Sequence, residues 1–367
     1  MRFLSLFSGI EAASQAWEQL GWECVAVSEI LEYQSEVIKE HFPNTKNLGD
    51  VTKITEDDIK ALGNIDVVIF GSPCQDMSLA GLRSGLDTIK EDTNHSSILF
   101  YEGMRVFRYA QKHCGARFLV WENVYGALLS NEGKDFGKIL REMVGTEFGA
   151  GKLVWGTEGV CFGTHSMCEW AVLDSQWFGV AQRRRRLFVV LDCGDWQSRR
   201  PILLECEVLR GDSPKSRREK QTTTTEIESG GTITIETYDR QRSDEYGINP
   251  IASTISARDY KSASDLVVEY YAIASNIIGR SSGNGGNGFG FNADVMYILT
   301  GADHHAIAYD TTVRKLTPIE CERLQGMKDN FTNVKGASYS KRINSLGRSM
   351  TVPVIKYIGE QIENCNT

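Results

Sequence analysis

The chain has 367 residues, 41% of them hydrophobic and 24% charged, with a formal net charge of -8. That length and composition predict a globular protein with one large domain and a smaller one, and the acidic balance argues mildly against a polyanion partner. The mean hides an uneven distribution: acids dominate residues 1–60, whereas arginine and lysine dominate 183–220, and a basic stripe on an acidic body still binds nucleic acid.

Taken in order, Leu4-Ser5-Leu6-Phe7 predicts a short strand that turns at Ser8-Gly9 into a helix over residues 11–20, with Ala12, Ala13, Ala16, Trp17 and Leu20 at helical spacing. Gly21 ends that helix, and residues 24–28 make a second strand. Glu29 stands at its end, about 20 residues past the glycine turn, where a carboxylate accepts from ribose hydroxyls in a nucleotide-binding βαβ unit. The turn Phe7-Ser8-Gly9-Ile10-Glu11-Ala12 lacks the GxGxxG spacing, which argues against a dehydrogenase cofactor. Asp50, after a helix ending near Pro43, reads either as an acceptor for an adenine amino group or as an exposed turn residue.

Residues 65–70 predict a buried parallel strand that breaks into Gly71-Ser72-Pro73-Cys74-Gln75-Asp76-Met77-Ser78. Cys74 is thereby placed at the carboxyl edge of a sheet, where open α/β folds bind ligands, although a lone cysteine also reads as a small buried hydrophobe. The polar stretch 81–97 is long enough to form a lid, and 98–109 predicts a helix. Another buried strand, 117–121, ends in Glu122-Asn123-Val124, so Glu122 is a candidate proton donor or a helix cap. Where the run Gln182-Arg183-Arg184-Arg185-Arg186 enters a strand, alternation puts Gln182, Arg184 and Arg186 on one face.

No run of 18 apolar residues is present, and Met1-Arg2-Phe3-Leu4-Ser5 enters a strand pattern without a signal peptide's apolar core. A cytoplasmic protein is expected. Nine cysteines, odd in number and irregularly spaced, fit reduced thiols, and no Cys/His cluster has zinc-ligand spacing, so no metal is expected.

Six segments occur in one order: Leu6-Phe7-Ser8-Gly9, Gly71-Ser72-Pro73-Cys74-Gln75, Glu122-Asn123-Val124, the Gln182 to Arg186 run, Arg314-Lys315-Leu316-Thr317-Pro318, and Gly347-Arg348-Ser349-Met350. In this the chain resembles the DNA cytosine-C5 methyltransferases, in their bacterial and phage branch. The resemblance covers residues 1–193 and 313–367. It implies a doubly wound, Rossmann-like α/β domain dependent on S-adenosyl-L-methionine, into which a smaller, mostly β target recognition domain is inserted over 194–312. That middle segment loses the strand-helix alternation and interleaves Tyr238, Arg240, Arg242, Arg258, Tyr260 and Lys261, a mixture suited to phosphate positioning and base-edge contact.

The resemblance also implies roles. Cys74 would be the nucleophile, Glu122 would contact N3 and the exocyclic amine of a flipped cytosine, Arg186 would hold O2 and Arg184 would brace the cysteine loop. Gln75 and Ser78 would fill the space left by the base, with Gln182, Arg240 and Arg258 also at the DNA. Phe7, Gly9, Glu29, Ile30, Asp50, Pro73 and Ser349 would line the cofactor pocket. A monomer acting on double-stranded DNA without an obligate protein partner is expected; a non-catalytic DNA-binding protein and an RNA cytosine methyltransferase are the rivals.

Four positions depart from the family's usual pattern: Ser5 for an aspartate, Glu11 for a glycine, Ala181 for a proline and Arg348 for an asparagine. An arginine at 348 would face a sulfonium, and two like charges about 4 Å apart repel by on the order of 4 kcal/mol at an effective dielectric of 20. Either Arg348 turns away, or it pairs with an anion on the cofactor, as in carboxy-S-adenosylmethionine, whose product would be 5-carboxymethylcytosine.

Overall fold

The structure, a computed structural model, describes residues 1–73, 98–149, 151–204 and 316–365, together with the backbone of short strands within 224–315. Cys74, Gln75, Ser78, Arg258 and the expected lid over 81–97 lie outside the described residues.

Short β-branched runs alternate with amphipathic helices through the first half of the chain. The elements are β1 (Arg2–Leu6), α1 (Ala12–Trp17), β2 (Glu23–Ser28), α2 (Glu32–His41), β3 (Lys46–Asn47), α3 (Glu56–Lys60), β4 (Val67–Phe70), α4 (Ile98–Cys114), β5 (Phe118–Val124) and α5 (Lys134–Val144). Three strands follow, β6 (Glu158–Phe162), β7 (Met167–Asp174) and β8 (Arg185–Asp192). They form one sheet in the order β3-β2-β1-β4-β5-β8-β7-β6. The pairs from β3 to β5 are parallel and those from β5 to β6 antiparallel.

Alternate residues of the central strands β1, β2, β4 and β5 enter two different cores, which is why runs such as Val67–Phe70 are apolar throughout. Phe3, Val27, Val67, Ile69, Phe118 and Val120 join the core beneath α1, α2 and the C-terminal helices. Leu4, Leu6, Ala26, Val68, Phe70, Leu119 and Trp121 join the other, beneath α3, α4 and α5. β1 has β2 on one side and β4 on the other, so chain order reverses there and opens a crevice beyond the carboxyl ends of β1 and β4.

The C-terminal segment supplies α6 (Pro318–Leu324), α7 (Tyr339–Arg348) and α8 (Val352–Asn364). Thr317 starts α6 with a capping box to Glu320 and Pro318 in the first turn. α8 lies on α1, where Trp17 Nε1 donates to the Ile355 carbonyl at 2.8 Å. Gly359 permits that approach, since a Cβ there would lie 2.5 Å from Trp17 Nε1.

Four elements differ from the sequence expectations. α1 stops at Trp17 and continues as a 3-10 turn over Glu18–Leu20 before Gly21. α4 runs on to Cys114, and β6 is a strand that the sequence pattern does not mark. β5 continues through Glu122 to Val124 because these residues pair with Phe188, Leu187 and Arg186 of β8, an antiparallel partner invisible to local periodicity.

Ile202 and Leu203 are buried against the first core, and both their N–H groups donate to Glu169 at 2.9 Å. Beyond them the described strands form two-, three- and four-stranded antiparallel sheets. Arg314–Lys315, placed with the C-terminal segment from sequence, pairs with Asp265–Val268 of the four-stranded sheet. Among the described residues no helix is long and apolar enough to cross a membrane.

Candidate active site

One wall of this crevice is built where β4 and β5 run side by side. Phe70 pairs with Trp121, so Gly71 follows next to Glu122. A Cβ on residue 71 would lie 2.9 Å from Glu122 Oε2 and 3.1 Å from Met350 Cε, so the missing side chain makes room for the carboxylate. On the opposite face of β5, Trp121 Nε1 donates to Ser72 Oγ at 3.1 Å and anchors the backbone just ahead of Pro73. Pro73 is the last described residue before Cys74.

Glu122 is oriented from the neighbouring strand. Arg186 Nε lies 3.1 Å from its Oε1, with the two side chains 18% and 13% exposed, so the pair is sheltered yet reachable.

Arg184 is buried and donates through Nη2 to the Gly347 carbonyl at 3.2 Å and the Ser349 carbonyl at 2.8 Å. These carbonyls flank Arg348. One guanidinium therefore fixes the turn that carries another.

A pocket joins these parts. Phe7, Ser8 and Gly9 from the β1–α1 turn, Gly71 and Glu122 from the strand ends, and Arg348, Ser349 and Met350 from the C-terminal segment line it together. Phe7 and Gly9 have φ of 52° and 56°, so the turn doubles back tightly over the end of β1. Glu29 braces the turn from behind: Oε2 accepts from Gly9 N at 2.8 Å and Oε1 from Leu31 N at 2.7 Å. Burial pushes the Glu29 carboxyl above its ordinary value, against the opposing effects of those N–H groups and of the Arg348 charge. Ile30 beside it is 69% exposed, an apolar surface left open next to a polar crevice.

The profile of the C-5 cytosine-specific DNA methylase family matches residues 1–364. The chain belongs to that family.

Among relatives of this family member, a protein of Escherichia phage P1 named DNA N-6-adenine-methyltransferase is 27% identical over 98% of the chain and 60% of its own length. The type II methyltransferase M.NgoBV of Neisseria gonorrhoeae is 32% identical over 52% of the chain and 40% of its own. M.DsaV of Dactylococcopsis salina is 24% identical over 99% and 86% respectively. The chain thus spans 60% and 40% of the length of the first two. Two solved structures share the fold across the whole chain. The Entamoeba histolytica methyltransferase EhMeth does so with a TM-score of 0.61 at 12% identity, and the S. pombe Dnmt2 methyltransferase with 0.59 at 16%.

In this C5 methylase-family chain the alternation expected of the arginine run is present. Gln182 and Arg184 are buried, Arg186 is partly buried, and Arg183 and Arg185 are exposed. Gln182, expected at the DNA, is fully buried, and its Nε2 donates to the Leu324 carbonyl of α6 at 2.8 Å, so this side chain faces the C-terminal segment. Arg184, expected to brace the cysteine loop, holds the Arg348 turn in the described structure. Asp50 caps its turn, with Oδ1 accepting from Thr52 N and Oγ1, and the Thr52 hydroxyl holds its carboxyl below the ordinary value. Arg240 lies in the strand Glu236–Arg242 of the inserted segment.

Two features of the site leave no mark in the sequence pattern. Asn47 Oδ1 accepts from Glu29 N at 3.1 Å and Gly49 N at 2.9 Å, while Nδ2 donates to the Glu29 carbonyl at 3.0 Å. One amide thus ties together the turns carrying Glu29 and Asp50, yet in sequence it is one polar residue in Pro43-Asn44-Thr45-Lys46-Asn47. The second is that Ser5 and Glu11, two of the four departures, touch: Ser5 Oγ donates to Glu11 Oε2 at 2.8 Å.

Proposed function

We propose that this chain is a DNA cytosine-C5 methyltransferase that takes S-adenosyl-L-methionine and acts on a cytosine flipped out of duplex DNA. The observation that carries this reading is the sheltered Glu122–Arg186 pair, whose Glu122 lies beside Gly71, two residues ahead of Pro73, and lines the pocket.

The turns that carry Glu29, Ile30 and Asp50, joined to the pocket through the Gly9–Glu29 bond, would suit an adenosyl cofactor. Ile30 offers an exposed apolar face for adenine, Asp50 an acceptor for its amino group, and Glu29 a carboxylate for the ribose. Phe7, Gly9, Pro73, Arg348 and Ser349 would complete the enclosure. When bound, the cofactor supplies an electrophilic methyl group.

Cytosine C5 is a poor nucleophile, and the residues of this chain address that. The Cys74 thiolate would add to C6, forming an S–C6 bond and leaving an enamine whose electron pair lies on C5. Glu122 would hydrogen-bond N3 and the exocyclic amine, and Arg186 the O2 atom, drawing charge off the ring as it develops. After C5 is alkylated, a water-mediated base removes its proton, the C5–C6 double bond re-forms, and the Cys74 sulfur leaves. Flipping costs a few kcal/mol of unstacking, which Gln75 and Ser78 would offset by filling the gap, while Arg240 and Arg258 would contact the DNA. The protein would act as a monomer in the cytoplasm of a bacterial host.

A second reading is favoured by one observation: Arg348, although exposed, lines the pocket on a turn whose two flanking carbonyls are held by Arg184. A guanidinium carried on that turn would suit a carboxylate on the cofactor. The substrate would then be carboxy-S-adenosyl-L-methionine and the product 5-carboxymethylcytosine.

Mass spectrometry of nucleosides from duplex DNA treated with protein and S-adenosyl-L-methionine tests the main reading. Covalent trapping on DNA carrying 5-fluorocytosine accompanies it. 5-Methylcytosine with a trapped adduct is expected; N6-methyladenine, modification of RNA in preference to DNA, or neither product nor adduct would overturn the assignment.

A further inference from the structure

The turn that forms the floor of the pocket is held by a carboxylate the proposed chemistry does not use. Glu11 adopts φ 60° and ψ 62°, a left-handed conformation unfavourable for a residue with a side chain, and it is completely buried. With Phe7 at φ 52° and Gly9 at φ 56°, the chain alternates into left-handed geometry three times between β1 and α1. Such a path persists only where its surroundings over-determine it.

Glu11 supplies that constraint. Oε1 accepts from Ser14 N at 2.9 Å and Ser14 Oγ at 3.0 Å, inside α1, and Oε2 accepts from Ser5 Oγ at 2.8 Å, inside β1. Ser5 Oγ also lies 3.1 Å from Ser8 Oγ, which in turn accepts from Ser28 N at 3.2 Å. Ser5 and Ser8 line the pocket, so the carboxylate stands directly behind its wall. Its partners are hydroxyls and one amide, and burial raises its carboxyl above the ordinary value.

We propose that Ser5 and Glu11 form one positioning unit for the cofactor turn, built around a single buried carboxylate that residue 5 or residue 11 can carry, but not both. A carboxylate placed on residue 5 would enter the space at the Glu11 Oε2 position, within reach of the Ser8 hydroxyl. Two carboxylates there would face each other as like charges in a buried site. None would leave the buried hydroxyls and the Ser14 amide short of an acceptor.

This inference rests on the reading of the pocket as an S-adenosyl site, and the test separates the two. Binding of S-adenosyl-L-methionine is measured by titration calorimetry for the wild-type chain, Glu11→Gly, Ser5→Asp and the double variant, with kcat and cofactor KM alongside and circular dichroism as the folding control. Glycine at 11 keeps the left-handed backbone while removing the acceptor. Each single variant is expected to weaken binding by about tenfold or more, and the double to return within about threefold of wild type, a strongly non-additive cycle. KM for the cofactor should carry the change while kcat moves little. If Glu11→Gly does not fold, Ser14→Ala removes one hydroxyl donor and should weaken binding by about threefold. Single variants that bind like wild type, or a double that simply sums the two losses, would overturn the unit while leaving the cofactor assignment standing. A wild-type chain that binds no S-adenosyl-L-methionine would overturn both.

Discussion

Arg186 Nε lies 3.1 Å from Glu122 Oε1 across the junction where the parallel half of the sheet meets the antiparallel half. Val124 is the register partner of Arg186, so Glu122, two residues back, projects on the same face. Arg186→Lys replaces a directional fork with a point charge and is expected to lower single-turnover kcat by about 100-fold. Glu122→Gln should lower it by about 100- to 10,000-fold with the melting temperature unchanged. Quenched-flow methylation assays with either variant check both numbers.

Gly71→Ala tests the same carboxylate from the other side. Its Cβ would meet Glu122 Oε2 at 2.9 Å and Met350 Cε at 3.1 Å, so either the carboxylate or the Met350 segment must move. A displacement of this kind is expected to reduce kcat by about 100-fold while leaving the fold intact. Rates close to wild type would show that Glu122 tolerates the shift.

Arg348→Asn separates the two cofactor readings. If the guanidinium pairs with a cofactor carboxylate, wild type forms 5-carboxymethylcytosine from carboxy-S-adenosyl-L-methionine, and the variant loses that product while forming 5-methylcytosine at least as fast. If Arg348 is a bystander, both proteins yield mainly 5-methylcytosine. Competition between the two cofactors, read by nucleoside mass spectrometry, decides the outcome.

A buried charge cluster at the other end of the sheet should set acid stability. Asp192 Oδ2 lies 2.7 Å from Arg199 Nε and Oδ1 2.8 Å from Arg117 Nε, and Glu169 meets Arg199 at 2.5 Å. Burial alone pushes the Asp192 carboxyl up, but Arg117, the Gly194 N–H and Arg199 together bring it below its ordinary 3.8. A carboxyl lowered on folding stabilises the protein above its unfolded value, and that stabilisation is lost as pH falls through the folded value. Asp192→Asn is therefore expected to cost about 3–5 kcal/mol at neutral pH by leaving two guanidinium groups short of a partner. Thermal melts should also show a shallower loss of stability below pH 4 in the variant, with approximately the carboxylate range as the window.

Much of this was legible along the chain because it depends on local periodicity. Continuous apolar runs such as Val67–Phe70 mark strands buried on both faces, and the alternation through Gln182, Arg184 and Arg186 is a property of extended backbone alone. The place of Glu29 at the end of β2, and the order of the six segments, are likewise visible before any folding.

What periodicity leaves undetermined is the far partner of each side chain. Gln182 was on the expected face, but only packing against α6, 142 residues later, turns that face inward. Arg184 acts on carbonyls 163 and 165 residues away, and the antiparallel strand that orients Glu122 is β8, which follows it by more than 60 positions in the chain. Ser5 and Glu11 look like unrelated departures in a row of letters. They become one hydrogen-bonded unit because a turn with three left-handed residues brings the end of β1 under the start of α1, where a buried carboxylate needs donors and those hydroxyls are within reach.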